Sequence, residues 1–290
     1  MKETLSISAQ GAQYIQAFIQ ALDHEGLNPK TLKEYASDLR QFIRWWEQQE
    51  EAAAFEIEAV TTQKLSLYRD AAQNNMALKP ATINRRLIAL KRFFDWAESS
   101  SLIPSDPSKP VKLVPEVKSS PRQMTDTEES ALIAAAEHGG SLRDLTILIV
   151  MFHTGLRTME VCDLIPDDIS FDNRCGQLTV RSGKRNKQRE VPLNALCRTS
   201  LETYMAILPP GSHYLFPSEK TGERLTERAL RHLIQKYMSA ASIEGLSAHD
   251  LRHRFGYVTA KQMPQDRLAQ IMGHDNPDST TIYLNGESAS

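Results

Sequence analysis

The chain has 290 residues, 41% of them hydrophobic and 24% charged, which is ordinary for a globular protein with room for about two domains. Its formal net charge of −2 excludes a uniformly basic protein, so any DNA-binding face must come from local clusters of basic residues. The longest apolar run, residues 145–152, is too short to span a bilayer, and three cysteines without C-x-x-C spacing predict neither a disulfide framework nor a zinc site. With no secretory signal pattern, the sequence predicts a cytoplasmic protein with reduced thiols.

Residues 11–102 predict four amphipathic helices. Asn28 is a suitable N-cap for the second helix, and Pro29 suits a first helical position because its missing N–H has no partner there. Thr61 or Thr62 can cap the third helix, and a proline opens the fourth. The regularly spaced apolar and aromatic residues of these segments predict the core of a helical domain.

Basic residues cluster on the polar faces of the second and fourth helices. A solvated charged face is the ordinary interpretation of such a cluster. Beside a DNA-acting catalytic domain, contact with the phosphate backbone is the better interpretation. The candidates are Lys30, Lys33 and Arg40 on the second helix, and Arg85, Arg86, Lys91 and Arg92 on the fourth.

Five prolines between residues 103 and 122 exclude a regular element there and predict a linker. We expect a helical domain at 1–105, the linker at 106–123 and a second domain at 124–290. A semi-extended linker would let the two domains clamp a duplex. Thr125, followed three residues later by Glu128, predicts the capping box that opens the first helix of the second domain.

Two segments of the second domain combine basic side chains with turn signals. In HTGLRTMEVCDL, Gly155 would allow a tight turn into a helix. Arg157 and Glu160, three residues apart, would then form an anion clamp and a carboxylate that orients it. Residues 178–193 alternate like a two-stranded hairpin around a Gly-Lys-Arg-Asn turn, with five basic residues in the nine from 181 to 189.

The segment from 247 to 283, which contains SAHDLRHRF and MGHDNPDSTTIY, concentrates the remaining candidate groups. His249 and Arg252 would lie on one helical face, about 5 to 6 Å apart at Cβ, and could bind one anion together. His274 and then Tyr283 follow, and a phenol beside basic groups suggests a nucleophile. Since the chain lacks the glycine-rich phosphate loops G-x-x-x-x-G-K-[ST] and G-x-G-x-x-G, basic side chains must supply the anion chemistry.

These motifs, in this order and over nearly the whole chain, resemble those of the tyrosine recombinases of the phage integrase family, and the Xer branch most. The resemblance implies a mainly α fold with a small antiparallel β-sheet around residues 170–193, and a helical N-terminal DNA-binding domain followed by the recombinase catalytic domain. It also implies six catalytic residues, which are Arg157, Lys184, His249, Arg252, His274 and Tyr283. Glu160 would support them. Arg185 and Lys187 would contact DNA. Arg185 stands where the family usually has Gly, and this difference affects the expected conformation of the turn more than the expected role of Lys184.

The function implied is site-specific recombination of double-stranded DNA through a 3′-phosphotyrosyl intermediate, without a metal or other cofactor. Lys184 would protonate the departing 5′ oxygen, and His249 would assist removal of the tyrosine proton. Four protomers would act on two DNA sites, with or without a second recombinase. Seven residues follow Tyr283, fewer than is usual in Xer proteins. We therefore expect either that another element makes the contact between protomers or that assembly is weaker.

Three other functions remain as alternatives. One is a DNA-binding accessory protein without catalysis, and another is a type IB topoisomerase with related chemistry. The third is a zinc-dependent hydrolase, since HDLRH has the H-x-x-x-H spacing of a zinc helix, with Asp where a metalloprotease carries Glu.

Overall fold

The computed structural model describes residues 7–49, 54–116, 122–172, 176–181, 188–274 and 278–284. The chain divides into two compact units, Met1–Ser119 and Ser120–Ser290. The described residues are mainly helical with one small antiparallel sheet, which confirms the predicted fold class.

The first unit contains the four predicted helices, which are α1 (Ala9–His24), α2 (Pro29–Glu47), α3 (Thr62–Asn74) and α4 (Pro80–Ser99). The predicted start signals are confirmed. The Asn28 side chain accepts a hydrogen bond from the Lys30 amide at 2.8 Å, and Pro29 is the first residue of α2. Thr61 is the cap of α3, accepting from the Lys64 amide at 3.3 Å.

Aromatic side chains form much of the core of this helical unit. Phe18, Phe42 and Phe93 are fully buried. The ring centroid of Phe18 lies 5.4 Å from that of Phe93, and the ring of Phe42 lies 5.1 Å from that of Tyr68, both in edge-to-face arrangements. Aromatic pairs in this geometry stabilise a fold beyond the effect of burying their surface area. The regularly spaced aromatic residues of the sequence therefore form part of the hydrophobic core.

The segment that follows α4 packs on the helical unit as far as residue 116. The Asn84 amide pairs with the backbone of Val114, donating to its carbonyl at 2.9 Å and accepting from its N–H at 2.8 Å. Thr62 Oγ1 donates to the Pro107 carbonyl at 2.7 Å. The proposed boundaries at 105 and 123 remain predictions, but these contacts favour assigning residues 106–116 to the helical unit rather than to a free linker.

The second unit begins with the predicted capping box, in which the Glu128 amide donates to Thr125 Oγ1 at 3.2 Å and the Thr125 amide donates to Glu128 Oε2 at 2.9 Å. Its helices are α5 (Asp126–His138), α6 (Leu142–Thr154), α7 (Thr158–Asp163), α8 (Ala195–Met205), α9 (Glu227–Ala240), α10 (Ala248–Ala260), α11 (Gln265–Met272) and α12 (Asp278–Thr281). Helix α6 is almost entirely buried, and α10 packs against it. Across the described part of the chain, we find no helix with the length and apolarity needed to cross a membrane.

The sheet consists of β1 (Ile169–Phe171), β2 (Gly176–Val180) and β3 (Arg189–Leu193), in that order and antiparallel. Leu178 pairs with Val191, and Val180 with Arg189. The predicted hairpin strands are thereby confirmed. Its turn, with Lys184, Arg185 and Lys187, lies outside the described residues, so the roles of these three stay predictions.

Candidate active site

The first element of the site is the turn between α6 and α7. Gly155 directly follows α6 and has φ +63°, in the left-handed region. A Cβ there would lie 2.3 Å from the Phe255 ring, so glycine is needed both for the conformation and for the packing of α10. The turn places Arg157 at the cap position immediately before α7.

Arg157 and Glu160 are in contact as predicted, but not as two side chains on one helical face. Because Arg157 precedes the helix, its backbone N–H donates to Glu160 Oε2 at 2.7 Å and its Nη1 donates to Oε1 at 3.1 Å. Its Nη2 donates to the Gly273 carbonyl at 2.7 Å. The Arg157 side chain is 42% exposed, so its guanidinium is held at one edge and open to a ligand at another.

Glu160 is buried and also receives a second guanidinium, that of Arg189. Arg189 Nη1 and Nη2 donate to the two carboxylate oxygens at 2.7 and 2.8 Å, and its Nε donates to the Ile271 carbonyl at 2.7 Å. Burial alone would raise the pKa of Glu160, but the hydrogen bonds and charge of Arg189, with those of Arg157, bring it below its usual value. The carboxylate is therefore ionised and fixes both arginines. The sequence indicated Arg189 only as the last member of a basic cluster.

Arg252 extends from α10 into the same region and is 3% exposed. Its Nη1 donates to the Gly155 carbonyl at 2.5 Å and its Nη2 to the Met272 carbonyl at 2.7 Å. Burial, together with the charge of Arg157, lowers the pKa of Arg252 to about 10, so it remains a cation at neutral pH. His249, one turn earlier on α10, is exposed.

Tyr283 is buried against α10, with 6% of its surface exposed. A Cβ at Gly256 would lie 2.6 Å from its ring, so this glycine provides the space that the ring occupies. The hydroxyl lies 3.0 Å from Nδ1 of His253, a residue that sequence analysis considered only as a zinc ligand. Burial raises the pKa of Tyr283, while the charge of Arg252 opposes that rise.

His274 follows Gly273, which caps the C-terminal end of α11 in the left-handed conformation. Its Nδ1 lies 2.7 Å from Oγ1 of Thr280, a fully buried side chain, and its ring is nearly parallel to that of Tyr283 with centroids 6.2 Å apart. Burial and the nearby charges of Arg252 and Arg157 lower its pKa to about 4, so His274 is neutral at pH 7. In the tautomer in which Nδ1 accepts from the Thr280 hydroxyl, the ring carries its proton on Nε2 and is a donor there. Thr280 was not among the residues predicted from the sequence.

The structure thus brings together Arg157, Arg252, His274 and Tyr283, with His249 on the exposed turn of α10 beside them. Two cations, a neutral donor and a phenol from separate segments are suited to binding an oxyanion next to a nucleophile.

Comparisons with known proteins identify the family of this chain. Residues 122–289 match the model described as "Phage integrase family", and residues 15–100 match "Phage integrase, N-terminal SAM-like domain". The chain belongs to the phage integrase family. It is 30% identical to tyrosine recombinase XerD of Ralstonia nicotianae, over 97% of this chain and 92% of that protein. It is 28% identical to tyrosine recombinase XerC of Staphylococcus aureus, over 92% of this chain and 90% of that protein. It is therefore a Xer-like tyrosine recombinase.

Solved structures of integrases share the fold of this phage integrase family member. A lambda integrase fragment bound as a dimer to a core site aligns with a TM-score of 0.78 at 17% identity, over 96% of both chains. The XerH recombinase bound to a palindromic difH substrate aligns with a TM-score of 0.76 at 19% identity, over 97% of this chain and 82% of that one. The accessory-protein and zinc-hydrolase alternatives are not favoured by these relatives.

In this integrase-family chain, the basic residues proposed to bind DNA fall into two groups. Those on α2, namely Lys30, Lys33 and Arg40, are exposed. Those on α4 have partners within the helical unit. Arg85 pairs with the buried Asp38 at 2.8 Å, and Arg92 pairs with Glu25 at 2.5 Å.

The other two basic residues of α4 have structural contacts as well. Arg86 Nη1 donates to the Tyr68 hydroxyl at 3.3 Å, and Lys91 Nζ donates to the Ser108 carbonyl at 2.6 Å. The exposed residues of α2 are therefore the better candidates for DNA contact, and the proposed role of the α4 residues remains a prediction.

Proposed function

We propose that Tyr283 is the nucleophile of a site-specific DNA recombinase that cleaves one strand to form a 3′-phosphotyrosyl link and a free 5′ hydroxyl. The observation that carries this assignment is the position of the Tyr283 ring, buried beside His274 and next to the helix that holds Arg252. A tyrosyl ester conserves the energy of the phosphodiester bond, so strands can be exchanged and resealed without ATP.

Arg157 and Arg252 would stabilise the charge that grows on the non-bridging oxygens in the five-coordinate transition state. Both guanidinium groups are already fixed by backbone carbonyls, at Gly273 for Arg157 and at Gly155 and Met272 for Arg252. Fixed donors need little reorganisation when charge develops, which is the source of their catalytic effect.

His274 would donate a hydrogen bond from Nε2 to a phosphoryl oxygen as a neutral imidazole. The contact between Nδ1 and Thr280 Oγ1 at 2.7 Å is compatible with this role, because a hydroxyl that donates to Nδ1 leaves the ring proton on Nε2. Glu160 and Arg189 would act as positioning residues, since they fix Arg157 and the carbonyl end of α11. Lys184 is proposed as the acid that protonates the 5′ oxygen, on the basis of the family resemblance alone.

The partner we propose is double-stranded DNA carrying a specific recombination site, bound by four protomers in the cytoplasm. Lambda integrase has been solved as a tetramer bound to a Holliday junction, and that structure aligns with a TM-score of 0.75 over 96% of this chain. Contact of Lys30, Lys33 and Arg40 with the DNA backbone would place the helical unit on the duplex. The sequence of the site can be recovered by crosslinking the protein to DNA in cells and sequencing the bound fragments.

Tyr283→Phe tests the assignment, because it removes one oxygen and nearly preserves the packing volume. On a duplex of the recovered site, nicked so that a short fragment diffuses away after cleavage, the wild type should accumulate protein attached to a 3′ phosphate. The phenylalanine variant should bind this duplex with unchanged affinity and form no covalent product. Tyr214→Phe, between α8 and α9, is the matched control and should cleave normally. Covalent product with Tyr283→Phe would refute the nucleophile assignment.

A further inference from the structure

The hydroxyl of Tyr283, the proposed nucleophile, lies within hydrogen-bond distance of His253. The sequence had instead led us to expect that His249 removes the tyrosine proton. His253 Nδ1 is 3.0 Å from the Tyr283 hydroxyl, whereas His249 is one turn away and exposed. The His249 and His253 rings meet edge to face with centroids 4.4 Å apart. A general base must lie about 2.6 to 3.2 Å from the proton-bearing atom, and His253 satisfies this distance.

We propose that His253 accepts the proton of the Tyr283 hydroxyl during attack on DNA and returns it during resealing. This inference rests on the proposed function, since it assigns a base to the nucleophile of that reaction. It also replaces His249 as the group that removes the tyrosine proton. His249, on the same face as Arg252 and exposed, remains available to contact the phosphate.

Tyr283 needs such a base because its surroundings do not favour a free phenolate. Burial raises the pKa of its hydroxyl above the ordinary value of about 10, so the group is protonated at neutral pH. As the oxygen bonds to phosphorus its proton becomes strongly acidic, and an acceptor already in contact can take it without a diffusing water.

His253 is in the correct protonation state for this role. Burial first, and then the neighbouring His249 and Arg252, lower its pKa, while Asp250 opposes them. The imidazole is therefore neutral at pH 7 and presents a lone pair at Nδ1 when its proton is on Nε2. The titratable and charged groups around it, from its own helix and from the segments that pack on it, are His249, Asp250, Arg252, His274 and Tyr283.

The proposed step balances in both directions. In cleavage, the Oη–H bond of Tyr283 breaks and its proton passes to Nδ1 of His253, while the Oη–P bond forms. The P–O5′ bond breaks, and the 5′ oxygen takes a proton from the acid proposed to be Lys184. In resealing, the 5′ hydroxyl attacks phosphorus, its proton returns to that acid, and the tyrosine oxygen recovers its proton from His253.

The test is His253→Asn, because an Asn amide lies close to the position of Nδ1 and can hydrogen-bond to the phenol but cannot take up a proton at these pH values. Rates of covalent-complex formation would be measured in single turnovers on the nicked site duplex from pH 5 to 9. Loss of a general base typically costs about 10²- to 10⁴-fold, and we expect a reduction in that range with DNA binding retained. His232→Asn, at an exposed position of α9, is the matched control and should keep the wild-type rate.

The pH profile separates proton transfer from a merely structural role. Since the pKa of His253 is lowered, the wild-type rate should stay level down to the ordinary histidine value of about 6.5 and fall only below it. The asparagine variant should lack that acidic limb. If His253→Asn fails to bind DNA, His253→Gln is the second variant. It should show the same slower rate and the same loss of the acidic limb. A wild-type rate in both variants, or a slower rate with the acidic limb unchanged, would overturn the proposal.

A second substrate identifies the side of the reaction on which His253 acts. With sulfur in place of the bridging 5′ oxygen, the leaving thiolate needs no acid, so a defect in leaving-group protonation is rescued. We expect His253→Asn to remain slow on this substrate, because its defect is at the nucleophile. Recovery of the wild-type rate would place His253 on the leaving-group side and refute the inference. If wild type and His232→Asn both formed no covalent complex, the proposed function itself would fall.

Discussion

Replacing Arg189 with methionine should reveal how much of the site depends on one buried carboxylate. The change removes two hydrogen bonds to Glu160, at 2.7 and 2.8 Å, and one to the Ile271 carbonyl. Glu160 is 2% exposed, so water cannot replace the missing donors. Removing one partner of a buried ion pair typically costs about 3 to 5 kcal/mol, and we expect a decrease in unfolding free energy in that range.

The assay can separate the two units because the three tryptophans, Trp45, Trp46 and Trp96, all lie in the helical unit. In a urea titration, tryptophan fluorescence reports that unit alone, whereas far-ultraviolet circular dichroism reports both. Only the second signal should shift in the variant. Arg231→Met removes an exposed pair with Glu227 on α9 and, as the control, should cost less than about 1 kcal/mol.

The loss of stability in the Arg189→Met variant should depend on pH. In the wild type the folded pKa of Glu160 is lowered, so its contribution to stability is fully present above its unfolded pKa of about 4.3 and is lost as pH falls through the folded value. Without Arg189, burial dominates and Glu160 gains a proton more easily. The stability difference between the two proteins should therefore shrink as pH is lowered from 7 toward 4. A difference below about 1 kcal/mol, or one independent of pH, would refute the assigned role of Arg189.

Two further predictions concern DNA binding and the nucleophile. Changing Lys30 and Lys33 together to glutamine should reduce the log-log salt slope of DNA binding by about 0.9 for each phosphate that the variant no longer neutralises, measured by fluorescence anisotropy over a salt series; an unchanged slope would show that they face solvent. Gly256→Ala places a Cβ where the Tyr283 ring lies 2.6 Å away, so it should displace the ring and reduce covalent-complex formation on the order of 10²-fold with DNA affinity unchanged. A normal cleavage rate in that variant would mean that Tyr283 leaves this position before it reacts.

Much of the fold could be predicted because helix starts depend on local chemistry. The Asn28 cap, the Pro29 start and the Thr125 capping box each involve residues within three positions of one another. The hairpin strands could likewise be predicted from alternation, and Leu178 and Val180 are buried as a period of two requires. Local capping signals and residue alternation therefore predict where an element begins and which of its residues lie on the same face.

Two of the residues whose roles could not be predicted from the sequence, His253 and Arg189, make contacts over long separations. His253 and Tyr283 are 30 positions apart, and Glu160 and Arg189 are 29 apart. Spacing within α10 placed His249 and Arg252 on one face, but only the packing of the C-terminal segment determines which histidine meets the phenol. The contacts of the basic residues on α4 could not be predicted for the same reason. A charged helical face does not indicate that Lys91 donates to the Ser108 carbonyl.

The balance of charge among the candidate site residues favours an anion such as a phosphodiester as the ligand. Arg157, Arg189 and Arg252 all donate to carbonyls at the C-terminal end of α11, residues 271–273. The carboxylate of Glu160 lies among them and is hydrogen-bonded to Arg157 and Arg189. Arg252 is instead held by two neutral carbonyls, and its lowered pKa shows that burial and the other cations act against its charge. If the proposed assignment holds, a phosphate bound between Arg157 and Arg252 would offset that penalty and thereby contribute to the free energy of DNA binding. Because charge on the phosphoryl oxygens is greater in the transition state than in the bound DNA, the same two cations would then also lower the barrier to cleavage.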